Sequence, residues 1–434
     1  MLLLIIINDT LINMEQMCLS PNPPYPATGH HRPGRNGNAS RPPPPPSGLV
    51  KAPASGFERK FFEYLGWPAP LIRRLEEDAR DAGVGLIHAA IASGLLDASD
   101  IYDKLSRILH FADGREPCRI RLPAAPSKVW QLLERPVPLP AAGAGLVALN
   151  GQSFPVHKLI ALSQKLGAER RYLKIVTRQD LIDAMTRAHG RVLAGRAVAG
   201  LLKARPESSA KTGLAAWQAY AGACVAGLML GAMISMPGEV LTLSAFALSL
   251  FFLLSIALRF AAMLNLMFPN RERRKPSLLS DADLPRYTIL VPLFREANIL
   301  PHLATALASI DYPPAKLDIK IVLEAVDSAT IEAARKYNFP GNVDLIVVPD
   351  RAPRTKPKAL NYALQFATGD LAVVYDAEDR PEPDQLRKAA AVFHRAPAHV
   401  ACLQARLDYF NAAENWLSRQ VTIEYCTLFR GLLP

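Results

Sequence analysis

Cysteine is scarce and scattered. Cys18, Cys118, Cys224, Cys402 and Cys426 form no close pairs. That spacing excludes a disulfide framework and a cysteine-built zinc site, and leaves reduced structural thiols as the expectation. No zinc-finger, basic-zipper or aromatic RNA-binding signature occurs, so the net charge of +11 is not assigned to nucleic acid. A secretory signal is not expected either: the apolar run Leu2 to Ile7 has no basic region before it, Asp9 stops it, and no clear small-residue cleavage site follows. Residues 287–297 lack a glycine-rich phosphate loop, which argues against a nucleotidyltransferase. The positive charge gathers beside apolar segments, so the expected anionic partners are lipid headgroups and a nucleotide.

Residues 1–56 read as a tail, because the tract Pro42 to Pro46 sits among Gly, Asn, Ser and Arg. A mainly helical region follows over 57–205. Phe61, Phe62 and Leu65, then Leu71, Ile72 and Leu75, recur at helical spacing. Asp97 or Ser99 is placed to cap a helix through Ile101, Leu105 and Ile108, and Thr177 to cap another over 178–203. Tyr172 to Val176 is strand-like. The stretches Tyr64-Leu65-Gly66-Trp67-Pro68, Ala92 to Asp97 and Ile175 to Leu181 resemble the N-terminal domain of type II secretion and pilus ATPases. Some copies of that domain bind a cyclic dinucleotide. Here Tyr64, not an Arg, stands directly before Leu65-Gly66, so the alternatives are a cyclic dinucleotide, a protein partner, or a packing domain without ligand.

Two uncharged apolar runs, Leu214 to Ser235 and Val240 to Leu258, flank the tight connection Met236 to Glu239. At about 1.5 Å rise per residue each is long enough for roughly 30 Å of hydrocarbon, so 214–268 is expected to be a transmembrane hairpin in a lipid bilayer. Arg259 is expected near an interface. Arg187, Arg191, Arg196, Lys203, Arg205 and Lys211 precede the pair, and Arg271, Arg273, Arg274 and Lys275 follow it. The positive-inside rule then puts both soluble parts in the cytoplasm, on the inner membrane.

From 281 onward strands and helices alternate. Strands are expected at Tyr287–Val291, Ile319–Leu323, Asp344–Val348, Leu371–Tyr375 and Val400–Arg406, with helices at 297–309, 329–337, 357–367 and 383–395. That order predicts an α/β domain with a mostly parallel sheet between helices. The run Leu371 to Tyr375 ends abruptly in Asp376, Glu378 and Asp379. Carboxylates at a strand end suit a divalent cation, and the cation suits a phosphate-bearing ligand. Three other strand ends or loops carry Pro292 to Glu296, Glu324 with Asp327, and Arg354 to Asn361. Lys356 and Lys358 at a helix start oppose its dipole, and a bound diphosphate would account for them.

In this order the four stretches resemble family 2 glycosyltransferases of the membrane-anchored, processive-synthase-like kind over 285–434. The resemblance implies a GT-A fold, a nucleotide-sugar donor (a UDP-sugar favoured), Mg²⁺ or Mn²⁺, a glycan acceptor and inversion at the anomeric carbon. It assigns donor binding to Pro292, Phe294, Glu296, Glu324, Asp327, Lys356, Lys358, Asn361 and Asp376, and metal binding to Asp376, Glu378 and Asp379. Arg295 stands where the family has Asn, Val326 replaces the first acid of the uridine-side pair, and Glu378 replaces the last Asp of the metal motif. No catalytic base is identified. The family takes it from a downstream acidic motif, and Asp408 and Glu424 sit in no such motif, so a truncated chain is expected. The alternative is a non-catalytic membrane scaffold with a degenerate transferase domain.

Overall fold

The computed structural model describes residues 3–6, 56–112, 120, 129–134, 139–140, 146–209, 213–267, 277–397, 399–405, 407–409 and 411–433. The proline tract, Cys18, Cys118, Lys211 and the basic cluster 271–275 lie outside them. Two compact units emerge: a larger one from 5–201 with 278–401, and a smaller one chiefly from 202–277 with 402–434.

In the larger unit the N-terminal helices are α1 (Gly56–Tyr64), α2 (Ala69–Ala82), α3 (Leu86–Ala92) and α4 (Ala98–Leu109). Phe61, Phe62, Ile72, Leu75, Ile87, Ile91, Ile101 and Leu105 interlock as their core. Asp97, not Ser99, caps α4 by accepting the N–H of Asp100 at 3.0 Å. A helical turn α5 (Trp130–Glu134) precedes a three-stranded sheet. In it β1 (Leu139–Pro140) runs antiparallel to β2 (Val147–Asn150), which pairs in parallel with β3 (Leu173–Val176). Helix α6 (Val156–Leu166) connects β2 to β3, and the long α7 (Arg178–Ala204) follows. Thr177 and Asp180 start α7 with reciprocal bonds: Thr177 N–H donates to Asp180 Oδ2 at 2.9 Å, and Asp180 N–H donates to Thr177 Oγ1 at 3.2 Å.

The second half of this unit alternates as the sequence predicts: β4 (Tyr287–Leu293), α8 (Leu300–Ala308), β5 (Leu317–Glu324), α9 (Ser328–Lys336), β6 (Val343–Val348), α10 (Lys356–Leu364), β7 (Leu371–Val374) and α11 (Gln385–Arg395). These four strands stand in the order β6-β5-β4-β7 and are parallel throughout. Strand β5 is buried along its whole length, as a sheet covered on both faces requires. Gly369 enters β7 so close to β4 that a Cβ there would lie 2.4 Å from the backbone nitrogen of Thr288. The chain leaves β4 toward β5 and β6, then returns to the other side of β4 with β7. The switch point of this doubly wound order therefore falls between β4 and β7, where ligands of such sheets bind.

The smaller unit contains α12 (Ala216–Ser235) and α13 (Pro237–Met267), two helices long and apolar enough to cross a membrane. Their large side chains are uncovered, with Phe251 73 % exposed. The expected connection 236–239 shrinks to Met236, because Pro237, Gly238 and Glu239 form the first turn of α13. Proline lacks the N–H that an opening turn leaves unpaired, and Glu239 complements the positive helix end. The fifth expected strand is reduced to β8 (Cys402–Gln404). Helix α14 (Trp416–Cys426) runs into a π-helical turn over Thr427–Leu432, where Gly431 packs against the Ala262 backbone of α13.

Candidate active site

Each strand end contributes one piece of a single cavity. Its volume is about 380 Å³, and its walls include Pro292, Phe294, Glu296, Glu324, Arg354, Lys356, Asp376 and Glu378. That size falls within the range of small-molecule sites.

The β4 end is shaped by its backbone. Arg295 has φ of 60°, an unusual value for a side chain with a Cβ, and its N–H donates to Asp327 Oδ2 at 2.5 Å. The next N–H, of Glu296, donates to Thr330 Oγ1 at 3.2 Å. The bend so held turns Phe294 and Glu296 into the cavity, and Arg295 lies over the Phe294 ring at 5.1 Å. Burial raises the pKa of the Glu296 carboxyl, and the charges of Glu378 and Asp376 raise it further. These three acids therefore share one neighbourhood.

The β5 end supplies Glu324, whose Oε2 accepts from Lys358 Nζ at 2.9 Å. Lys358 is buried, so this pair is sealed from water on the lysine side. Lys356 is half exposed and donates to Asp376 Oδ1. The two lysines that oppose the α10 dipole are thus both answered by carboxylates. Arg354 also lines the cavity, with its guanidinium held by two 2.7 Å bonds to Asp350.

The β7 end is a tight turn. Asp379 Oδ2 accepts the N–H of Asp376 at 2.9 Å, and Asp379 N–H donates back to the Asp376 carbonyl at 3.1 Å. Burial and the nearby Asp376 charge push the Asp379 carboxyl up, despite that bond.

The expected residues therefore divide. Pro292, Phe294, Glu296, Glu324, Lys356, Asp376 and Glu378 line the cavity, whereas Asp327, Lys358, Asn361 and Asp379 do not. Asp327 sits behind the wall, capping α9 through Thr330 N–H at 3.3 Å. Burial alone would raise its pKa, but the Arg295 and Thr330 bonds outweigh it and hold the carboxyl below the usual range. Asn361 donates toward the Ala197 carbonyl of α7 at 3.3 Å. Leu293, Val322, Val326, Thr355, Ala359 and Ala377 also line the cavity. Of these, Val322 was legible by strand alternation, two residues before Glu324 on the same face. The downstream acids lie in the smaller unit: Asp408 accepts from Arg430 at 2.5 Å, and Glu424 is 3.9 Å from Arg259.

The fold and site thus define a parallel α/β sheet of the doubly wound class, with acids and a lysine converging on a cavity at its switch point. Residues 285–427 match the family described as "Glycosyltransferase like family 2". The chain thus carries a glycosyltransferase family 2-like domain. It is similar to a probable glycosyltransferase, YdaM, of Bacillus subtilis, 27% identical over 151 residues, covering 33% of this chain and 34% of that protein. It is also similar to the beta-monoglucosyldiacylglycerol synthase of Trichormus variabilis, 26% identical over 140 residues, covering 31% and 29%. A solved mannosyltransferase of Pyrobaculum calidifontis, in complex with GDP-Man and Mn²⁺, is 28% identical, with a TM-score of 0.27 and coverage of 35% and 42%. The chain spans about a third of the length of the curated relatives.

Proposed function

We propose that this chain is the donor-binding part of a membrane-anchored, inverting glycosyltransferase that takes a sugar from a nucleotide-sugar, favoured as a UDP-sugar. One observation carries the reading: Glu296, Lys356, Asp376 and Glu378, distant in sequence, surround one cavity at the sheet's switch point. In the family logic the nucleoside would lie over Pro292, Val322 and Val326, with the Glu324 carboxylate as its hydrogen-bond acceptor. Lys356, freed from Asp376, would meet the diphosphate and offset charge on the leaving group.

The donor set fits a hard cation. Four carboxylates line the cavity beside Lys356 and Arg354, and the Glu296 pKa is raised by burial and then by Glu378 and Asp376. All these donors are oxygen, which suits Mg²⁺ or Mn²⁺. Among the described residues no three acids, histidines or cysteines close a coordination shell. A Mg²⁺-type site needs only one or two carboxylates when substrate phosphates complete it. Asp376 and Glu378 would hold the ion, with Asp379 fixing the Asp376 backbone. When bound, the ion supplies charge neutralisation for the departing diphosphate.

The acceptor is proposed to be a glycan hydroxyl. Diacylglycerol is the competing acceptor suggested by the name of one relative. The hairpin α12–α13 would anchor the chain in the inner membrane with both soluble parts cytoplasmic, a reading supported by uncovered apolar helices flanked by basic sequence. The test is calorimetric titration of UDP and GDP into the full chain, with and without Mn²⁺. Metal-dependent binding of either supports the transferase. No binding of any nucleoside diphosphate would favour the scaffold.

A further inference from the structure

We propose that helix α7 of the N-terminal region is a positioning element for this cavity, holding the segment from Arg351 to Gln365 so that Lys356 faces the diphosphate. The proposal rests on the donor reading above. Helix α10 has nine residues, and its usefulness depends on rotation about its own axis. At 3.6 residues per turn, Lys358, Asn361, Tyr362 and Gln365 share one stripe, while Lys356 and Ala359 lie off it and line the cavity. Every residue of that stripe is engaged. Lys358 bonds Glu324 and the Arg351 carbonyl, the latter at 3.2 Å. The other three reach α7: Gln365 Nε2 donates to the Leu193 carbonyl at 3.1 Å, Asn361 Nδ2 to the Ala197 carbonyl at 3.3 Å, and Tyr362 OH to Thr186 Oγ1 at 3.4 Å. On the other side of Lys356, Arg351 Nη1 donates to the Arg191 carbonyl at 3.4 Å.

Helix α7 is itself fixed to the sheet. The Gln179 side-chain amide accepts the Leu345 N–H at 2.9 Å and donates to the Leu345 carbonyl at 3.0 Å, pairing with the edge strand β6 as another strand would. Gly190 allows the approach, since a Cβ there would lie 2.9 Å from Pro349 Cγ. A helix bonded at one end to the sheet and farther along to α10 fixes how α10 is rotated over the sheet. Small errors in such placement cost a disproportionate share of a ligand's interaction energy. Asn361 is on this reading a positioning residue, which explains why it faces α7 and not the cavity.

The experiment compares the wild-type full chain with Asn361→Ala/Gln365→Ala and, from the α7 side, Gly190→Leu. UDP and uridine are titrated with Mn²⁺, and amide hydrogen exchange is followed over 355–364. Released positioning predicts UDP affinity lower by about tenfold, uridine affinity unchanged and faster exchange in α10. Equal loss of UDP and uridine would overturn the proposal, because that is the mark of general destabilisation. Unchanged exchange in both variants would overturn it as well. A wild-type chain that binds neither ligand would instead overturn the donor reading, and the exchange measurement alone would then decide whether α7 holds α10.

Discussion

At the N-terminal end of β5, Asp318 and Lys320 are sealed inside the protein; at its C-terminal end, on the same face, Glu324 opens onto the cavity. The sealed end is balanced. Lys320 bonds Asp318 at 2.6 Å and its cross-strand neighbour Asp344 at 2.5 Å, while Arg178 of α7 reaches Asp318 at 2.5 Å and Asp344 at 2.8 Å. Thr288 Oγ1 and the Thr368 N–H, at 2.8 and 2.9 Å, use the remaining Asp318 oxygen. Two anions meet two cations, and both Asp318 oxygens accept hydrogen bonds, a condition that favours tolerance of buried charge. The cavity end is unbalanced toward the acids, and its lysine-to-aspartate pair is partly exposed. At the sealed end each charge is answered by an opposite one, whereas at the other end four carboxylates line the cavity beside Lys356 and Arg354. Similar residue types therefore close on one another at one end of the strand and line an open cavity at the other.

The sharpest way to break this contrast is Arg178→Met. It leaves Asp318 and Asp344 facing one lysine and should cost about 3–5 kcal/mol in urea denaturation. A loss under about 1 kcal/mol would show that the sealed network is not cohesive. At the other end, Asp376→Asn should remove the Mn²⁺-dependent gain in UDP affinity, expected to be about tenfold or more, with little change in Tm. Retention of that gain would move the metal away from Asp376. Lys356→Ala should weaken UDP about fivefold and leave uridine unchanged, since in the proposed function the lysine addresses phosphate alone. Parallel losses for both ligands would contradict that role.

The mildest test is acid titration. Burial alone would raise the Asp318 pKa, but Arg178 and Lys320 outweigh it and hold the carboxyl far below the ordinary value. A depressed carboxyl contributes stability that is fully present above its unfolded pKa of about 3.9 and is lost as pH falls toward the folded value. Wild-type stability should therefore decline below about pH 4, and Arg178→Met should show a shallower decline over that window. An identical slope in the variant would mean that Asp318 does not report the network.

Much of the alternating half was legible because its signals are local. Apolar β-branched runs ended by polar residues placed β4, β5, β6 and β7 within about two residues, the usual precision for element ends. The strand-end acids and Lys356 were legible for the same reason, since parallel strands deliver their C-terminal residues to one edge. Asn361 and Asp327 read as ligand contacts because they stand in the right order along the chain. Order does not state which way a side chain turns. Asp327 is diverted by the two N–H groups it satisfies, and Asn361 by a helix more than 150 residues earlier.

By itself the sequence determined where strands and helices lie, which segments are apolar enough for a bilayer, and which charged residues reach the strand ends. These follow from periodicity, hydrophobic length and backbone geometry, all properties of neighbours along the chain. Only the tertiary structure decided that Arg178 neutralises Asp318 and Asp344, that Gln179 covers the sheet edge, and that α7 grips α10. Those pairings depend on desolvation and hydrogen-bond geometry between distant segments, which become defined only once the chain has closed on itself.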